Sequence, residues 1–104
     1  MIVVDIKASN KNHKRFCLTM NDGKKFDFGL KDGLTYLDHK DKIKRKNYWS
    51  RHLANSTEKK RINNLVPSAS LFSAYLLWGP YTDLEKNVAN LNNLWKQGNN
   101  NNNA

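Results

Sequence analysis

Apolar and polar side chains trade places along the N-terminal third of this chain, then settle into a longer period. Ile2, Val4 and Ile6 alternate with Val3, Asp5 and Lys7, while Phe16, Leu18 and Met20 alternate with Cys17 and Thr19. A period of two puts each apolar set on one face of a strand. Asn21-Asp22-Gly23 follows, three residue types that tolerate the positive φ of a tight hairpin turn, and Phe26 and Phe28 resume the alternation beyond it. The pattern predicts a three-stranded antiparallel sheet over residues 1–29, ended by a loop between Gly29 and Gly33.

Helical spacing takes over after that loop. Residues 41–54 hold neither Gly nor Pro, and Asp41 is placed to cap the first unpaired amides of a helix. At about 100° per residue, Ile43, Trp49 and Leu53 share an arc of roughly 120°, which predicts the buried face. Lys40, Lys44, Tyr48 and Arg51, at spacings of four, four and three, line the far side. Thr57 is expected to cap a short helix through Leu65, stopped by Pro67. Ser68 or Ser70 then opens the most apolar segment, "SLFSAYLLW" at 70–78, which Gly79-Pro80 ends. Thr82 and Glu85 read as a capping box for a last helix in which Leu84, Val88, Leu91 and Trp95 recur at helical spacing.

The fold class that follows is α+β: a three-stranded antiparallel sheet packed against three or four C-terminal helices. Phe16, Leu18, Phe26 and Phe28 are expected to face Leu71, Phe72, Leu76, Leu84, Val88 and Leu91 across one core. A chain of 104 residues suits one such domain over 1–97 and leaves little for a second. The Asn-rich run 98–104 has nothing to bury and is expected to be a disordered tail.

Charge adds a partner to this picture. Eighteen Lys and Arg against nine Asp and Glu leave a net +9, which attracts polyanions. Fourteen Lys and four Arg beside sixteen Asn are also what an A/T-rich genome writes, so position carries more than the total. Residues 38–62 hold nine cations against three acids, Asp38, Asp41 and Glu58, which places two thirds of the net charge in a quarter of the chain. Within "KDKIKRKNYWSRH" at 40–52, cations at helical spacing match a phosphate backbone, and Tyr48 is a candidate to stack or bond to it. The candidate nucleic-acid-binding set is Lys40, Lys42, Lys44, Arg45, Lys46, Tyr48 and Arg51, with a second knot at Lys59, Lys60 and Arg61. Lys outnumbers Arg, so the set points to phosphates more than to base edges.

Other chemistry is sparse. Asp38, His39, Asp41 and His52 could hold a divalent ion and activate water for a small nuclease, but their spacing follows no common ligand pattern and the surrounding Lys and Arg would repel a cation. Helix capping and structural hydrogen bonds are the simpler roles, so no metal, cofactor or catalytic residue is expected. Gly-rich phosphate loops, nucleophile elbows, CxxC and HExxH are all missing from the sequence. Trp49, Phe72, Tyr75, Trp78, Tyr81 and Trp95 could form a base-stacking platform, but core packing is the better reading at their helical spacing. Cys17, alone and among apolar neighbours, reads as a packed thiol in a reducing compartment. "MIVVDIK" is too short and too quickly charged for a secretory signal, and no apolar run approaches membrane-spanning length. Asn55-Ser56-Thr57 fits a glycosylation sequon but has no secretory route to use it.

Three blocks, "HKRFCLTMNDGKKFDFG" at 13–29, "YLDHKDKIKRKNYWSRH" at 36–52 and "LFSAYLLWG" at 71–79, together resemble a family of small, basic, functionally uncharacterised proteins of large DNA viruses of algae and amoebae. The matching features are Phe28-Gly29, Tyr36, His39-Lys40-Asp41, Tyr48, Arg51-His52 and Leu77-Trp78, within residues 13–95. The resemblance implies a viral protein located in the virion or inside the host cell, and through the need to neutralise a long genome it favours DNA over RNA. The expected function is non-enzymatic, largely sequence-independent nucleic-acid binding, without membrane association. One alternative is a virion structural or adaptor protein that docks an acidic partner and forms a homo-oligomer through apolar positions near Tyr81 and Trp95; a second is the metal-dependent nuclease.

Overall fold

The computed structural model describes residues 1–97 in full and residues 98–102 by backbone alone, so the expectation for the 98–104 tail lies outside the fully described residues. The chain is α+β. Strands β1 (Val3–Ala8), β2 (Lys14–Met20) and β3 (Lys25–Leu30) form an antiparallel sheet in the order β1-β2-β3. Gly23, at φ +89°, makes the turn between β2 and β3, and its N–H donates to the Met20 carbonyl at 2.9 Å.

The apolar face of β1 differs from the expected one. Val3 pairs with Met20 but Asp5 pairs with Thr19, so Val4 is an extra residue that bulges the strand. A bulge shifts the side-chain alternation by one position. Val3 and Ile6 therefore join the face of Leu18 and Met20, while Ile2 and Val4 are exposed. Asn92 fixes the bulged edge from the last helix: its Oδ1 accepts from Val3 N–H at 2.8 Å and its Nδ2 donates to the Val3 carbonyl at 3.3 Å.

After the sheet come α1 (Tyr36–His39), α2 (Lys42–Leu53), α3 (Ser56–Asn63), α4 (Ala69–Phe72), a π-helical turn (Ser73–Leu77) and α5 (Leu84–Asn102). Caps explain most boundaries. Asp41 Oδ1 accepts from Ile43 and Lys44 N–H, as expected. Asn55, rather than Thr57, caps α3, and Ser68 caps α4. Asp83, rather than Thr82, takes the Lys86 N–H at the start of α5. The apolar run 70–78 is not one regular helix, because the Trp78 N–H reaches back to Ser73 and widens the last turn into a π turn.

The segment 69–77 lies at the centre of the molecule. On one side Leu71, Phe72, Leu76 and Leu77 pack with Leu18, Phe28, Leu91 and Trp95, joined by half-buried Phe16, Phe26, Leu84 and Val88. This is the core expected from the sequence. Phe72 anchors it, with its ring 5.2 Å from Phe26, 5.8 Å from Phe28 and 6.4 Å from Trp95. On the other side Ala74 meets Tyr48 of α2 and Ile62 of α3 in a second cluster that the sequence reading did not anticipate. Gly29 allows β3 to approach the π turn, since a Cβ there would sit 2.9 Å from Leu77 Cδ1 on a backbone with φ +78°.

Candidate functional site

The buried face of α2 is one step away from the expected one. Ile43 is 73% exposed, whereas Tyr48 is 8% exposed, and Arg45, Trp49, His52 and Leu53 are half-buried. Arg45, Tyr48, Trp49 and His52 fall at i, i+3, i+4 and i+7, which is a helical stripe with two charge-capable members. Trp78 draws them in. Its carbonyl accepts from Trp49 Nε1 at 2.8 Å and from Arg45 Nε at 3.1 Å, and Arg45 also reaches the Gly79 carbonyl at 2.9 Å. The Tyr48 ring stacks on Trp78 at 4.4 Å and 5°, with His52 on its other side at 4.1 Å.

Two members of the expected binding set therefore have other work. Tyr48 is a core residue, not a phosphate contact, and burial, followed by the Glu58 charge, pushes its phenol well above the ordinary tyrosine range. The Arg45 guanidinium is half-buried over the Tyr36 and Trp49 rings and serves the fold. Lys40 is not on α2 at all: it ends α1 in the left-handed region at φ 58°, with its N–H bonded to the Tyr36 carbonyl. The row Lys40, Lys44, Tyr48, Arg51 is consequently broken.

Eight cations of the set remain exposed: Lys40, Lys42, Lys44, Lys46, Arg51, Lys59, Lys60 and Arg61. Among the described residues the ion pairs are Lys11–Asp27, Arg15–Asp38, Lys24–Asp22 and His52–Glu58, and none uses any of these eight. On α2 they form two flanks. At about 100° per residue Lys42 and Lys46 share one edge of the exposed side and Lys44 and Arg51 the other, with Ile43, Asn47 and Ser50 between them. On α3, Lys59, Lys60 and Arg61 spread around the exposed circumference, with Ile62 buried and Glu58 half-buried.

The candidate metal ligands are each engaged elsewhere. Asp38 receives both Arg15 Nη atoms at 2.8 Å, the Thr35 N–H at 2.8 Å and the Thr35 hydroxyl at 2.9 Å; the Arg15 guanidinium above all holds its carboxyl far below the usual range. Asp41 caps α2, and its bonds from the Lys44 and Ile43 amides lower its pKa. His39 Nδ1 accepts the Asp41 N–H at 3.0 Å, which puts the neutral ring's proton on Nε2 and leaves no lone pair there for a metal. His52 Nδ1 lies 2.7 Å from Glu58 Oε2, tying α2 to α3. Among the described residues no three His, Cys, Asp or Glu side chains come together as a metal site.

A cleft of about 580 Å³ opens beside His52. The end of the sheet, the 29–35 loop, α2, α3, α4 and the π turn all contribute to its wall. No motif announced it, because its residues meet only in the folded chain.

Residues 4–52 match the model of a family of unknown function (DUF5754). The match covers a little under half of the chain, from β1 to His52 near the end of α2, and stops before the α3 cations. No curated protein and no solved structure matches the chain significantly. Among the described residues, no helix is long and apolar enough to cross a membrane.

Proposed function

We propose that the protein binds double-stranded DNA through α2, without strong sequence preference and without catalysing a reaction. The observation that carries this reading is the set of exposed cations that form no ion pair among the described residues, four of them flanking an uncharged ridge on one helix. A major groove about 12 Å wide admits an α-helix. Seated there, α2 would direct Lys42 and Lys46 to one phosphate strand and Lys44 and Arg51 to the other, with Ile43, Asn47 and Ser50 over the base edges. Lys40 and the α3 cations extend the contact along the backbone.

The ridge supplies one amide and one hydroxyl to the bases, too little for stringent base selection, while phosphate contacts set affinity. DNA fits better than RNA because the deep, narrow major groove of A-form RNA excludes a helix. The resemblance to proteins of large DNA viruses points the same way, toward packaging or condensation of a viral genome.

The test is a duplex-binding assay on three proteins. Lys44→Glu with Arg51→Glu should weaken binding about tenfold or more, and Ile43→Glu, a single change at a position 73% exposed, should do so without altering the fold. Affinity indifferent to all three substitutions would refute the reading, and no duplex affinity in the wild-type protein would favour docking of an acidic protein. Self-association through Trp95 has less support, since that side chain is buried and its Nε1 donates to the Leu65 carbonyl at 2.9 Å. Magnesium-dependent strand scission abolished by His39→Ala would instead point to a nuclease.

A further inference from the structure

From the cleft beside α2 we infer a second site, one that takes a single unpaired nucleotide: base against an apolar wall, phosphate against two cations. The inference rests on the nucleic-acid reading for the class of ligand; it shares Arg51 with the flank of α2 and otherwise uses a different surface, which Leu30 and Leu34 mark.

Leu30 and Leu34 are 69% and 73% exposed, the largest exposures among the leucines, and both line this cleft. The turn between them is tight: the Gly33 N–H donates to the Leu30 carbonyl at 3.1 Å, and a Cβ at Gly33 would stand 3.1 Å from the Leu30 Cβ. Large apolar side chains left in water at the mouth of a concave site mark where a ligand's apolar face belongs. Lys14 from β2 and Arg51 from α2 line the same cleft, and neither is ion-paired among the described residues.

The third component is polar and fixed. Glu58 engages His52 Nδ1, and the stack on Tyr48 holds the ring, so Nε2 is the ring nitrogen left for a partner. A wall of leucine, a pair of cations and a held imidazole are what a base, its phosphate and its edge require. An acidic peptide would use the cations and leave the leucines wet. The volume, about 580 Å³, lies within the range of small-ligand sites, roughly 300–1,000 Å³. An intact duplex cannot offer a base to such a cleft, whereas a strand end or single strand can.

The experiment compares labelled oligothymidylate of about ten residues with a duplex of similar length, on wild type and on Leu30→Ser with Leu34→Ser. The double variant should lose about tenfold in single-strand affinity while its duplex affinity stays within about twofold. In parallel, thymidine 5′-monophosphate added to the wild-type protein should shift the amide resonances of Leu30, Leu34, Arg51 and Ser70. Single-strand affinity unchanged by the double variant, or shifts scattered away from the cleft, would overturn the inference while duplex binding through α2 stands. Leucine-dependent single-strand binding without duplex binding would support the cleft and remove the α2 reading; no binding of either probe would remove both.

Discussion

At the scale of single residues, side chains that look functional in the sequence turn out to hold the fold. Tyr48 is the clearest. Tyr48→Ala should cost about 3–4 kcal/mol by emptying the slot between Trp78 and His52, while Tyr48→Phe should stay within about 1 kcal/mol and leave DNA affinity unchanged. Thermal melts of the two variants read this directly. Its phenol should ionise only well above pH 10 in a spectrophotometric titration, because burial opposes the phenolate. Asp38 is the second case. Arg15 and Thr35 stabilise its ionised form in the native state, so its contribution is complete above the unfolded value near pH 3.9 and is lost as pH falls below that toward the depressed native value. Asp38→Ala should therefore destabilise by about 2–3 kcal/mol at pH 7, a gap that narrows below pH 4 in denaturant titrations. Thr35-x-x-Asp38 is a short-range capping signal for α1 that the sequence carries, with Asp where a capping box usually has Glu or Gln.

At the scale of elements, alternation and spacing made most of the architecture legible. The three strands, the Asp41 cap and the Leu84, Val88, Leu91, Trp95 stripe all stand where the sequence places them. Three features were not legible for physical reasons. The Val4 bulge is imposed by pairing with β2 and by Asn92, both distant in sequence. The phase of α2 is hidden because Arg45 and His52 count as polar, although aromatic faces and backbone carbonyls receive them. The π turn depends on packing between two clusters, and no residue type signals it. Gly29 is where β2 and β3 meet the π turn. Gly29→Ala combines a left-handed φ with contact against Leu77 and Arg15, and should destabilise by about 2 kcal/mol, roughly 10 °C in melting temperature.

At the scale of the molecule, one domain carries its charge unevenly. The Cα radius of gyration, 13.5 Å, agrees with the roughly 13 Å of a single compact domain of this length. Acids of the sheet, its β2–β3 turn and α1 pair with Arg15, Lys11 and Lys24, which leaves the Lys and Arg side chains of α2 and α3 without ion pairs among the described residues. Sequence clustering exposed that imbalance; it could not show that the cations flank a ridge, or that a cleft opens beside them. The most direct test measures duplex-DNA affinity across a range of salt concentrations. With about six phosphates neutralised, log K should fall against log salt with a slope near −5, and Lys42→Glu with Lys46→Glu should make it shallower by about two. A slope near zero, or no binding at low salt, would contradict the account.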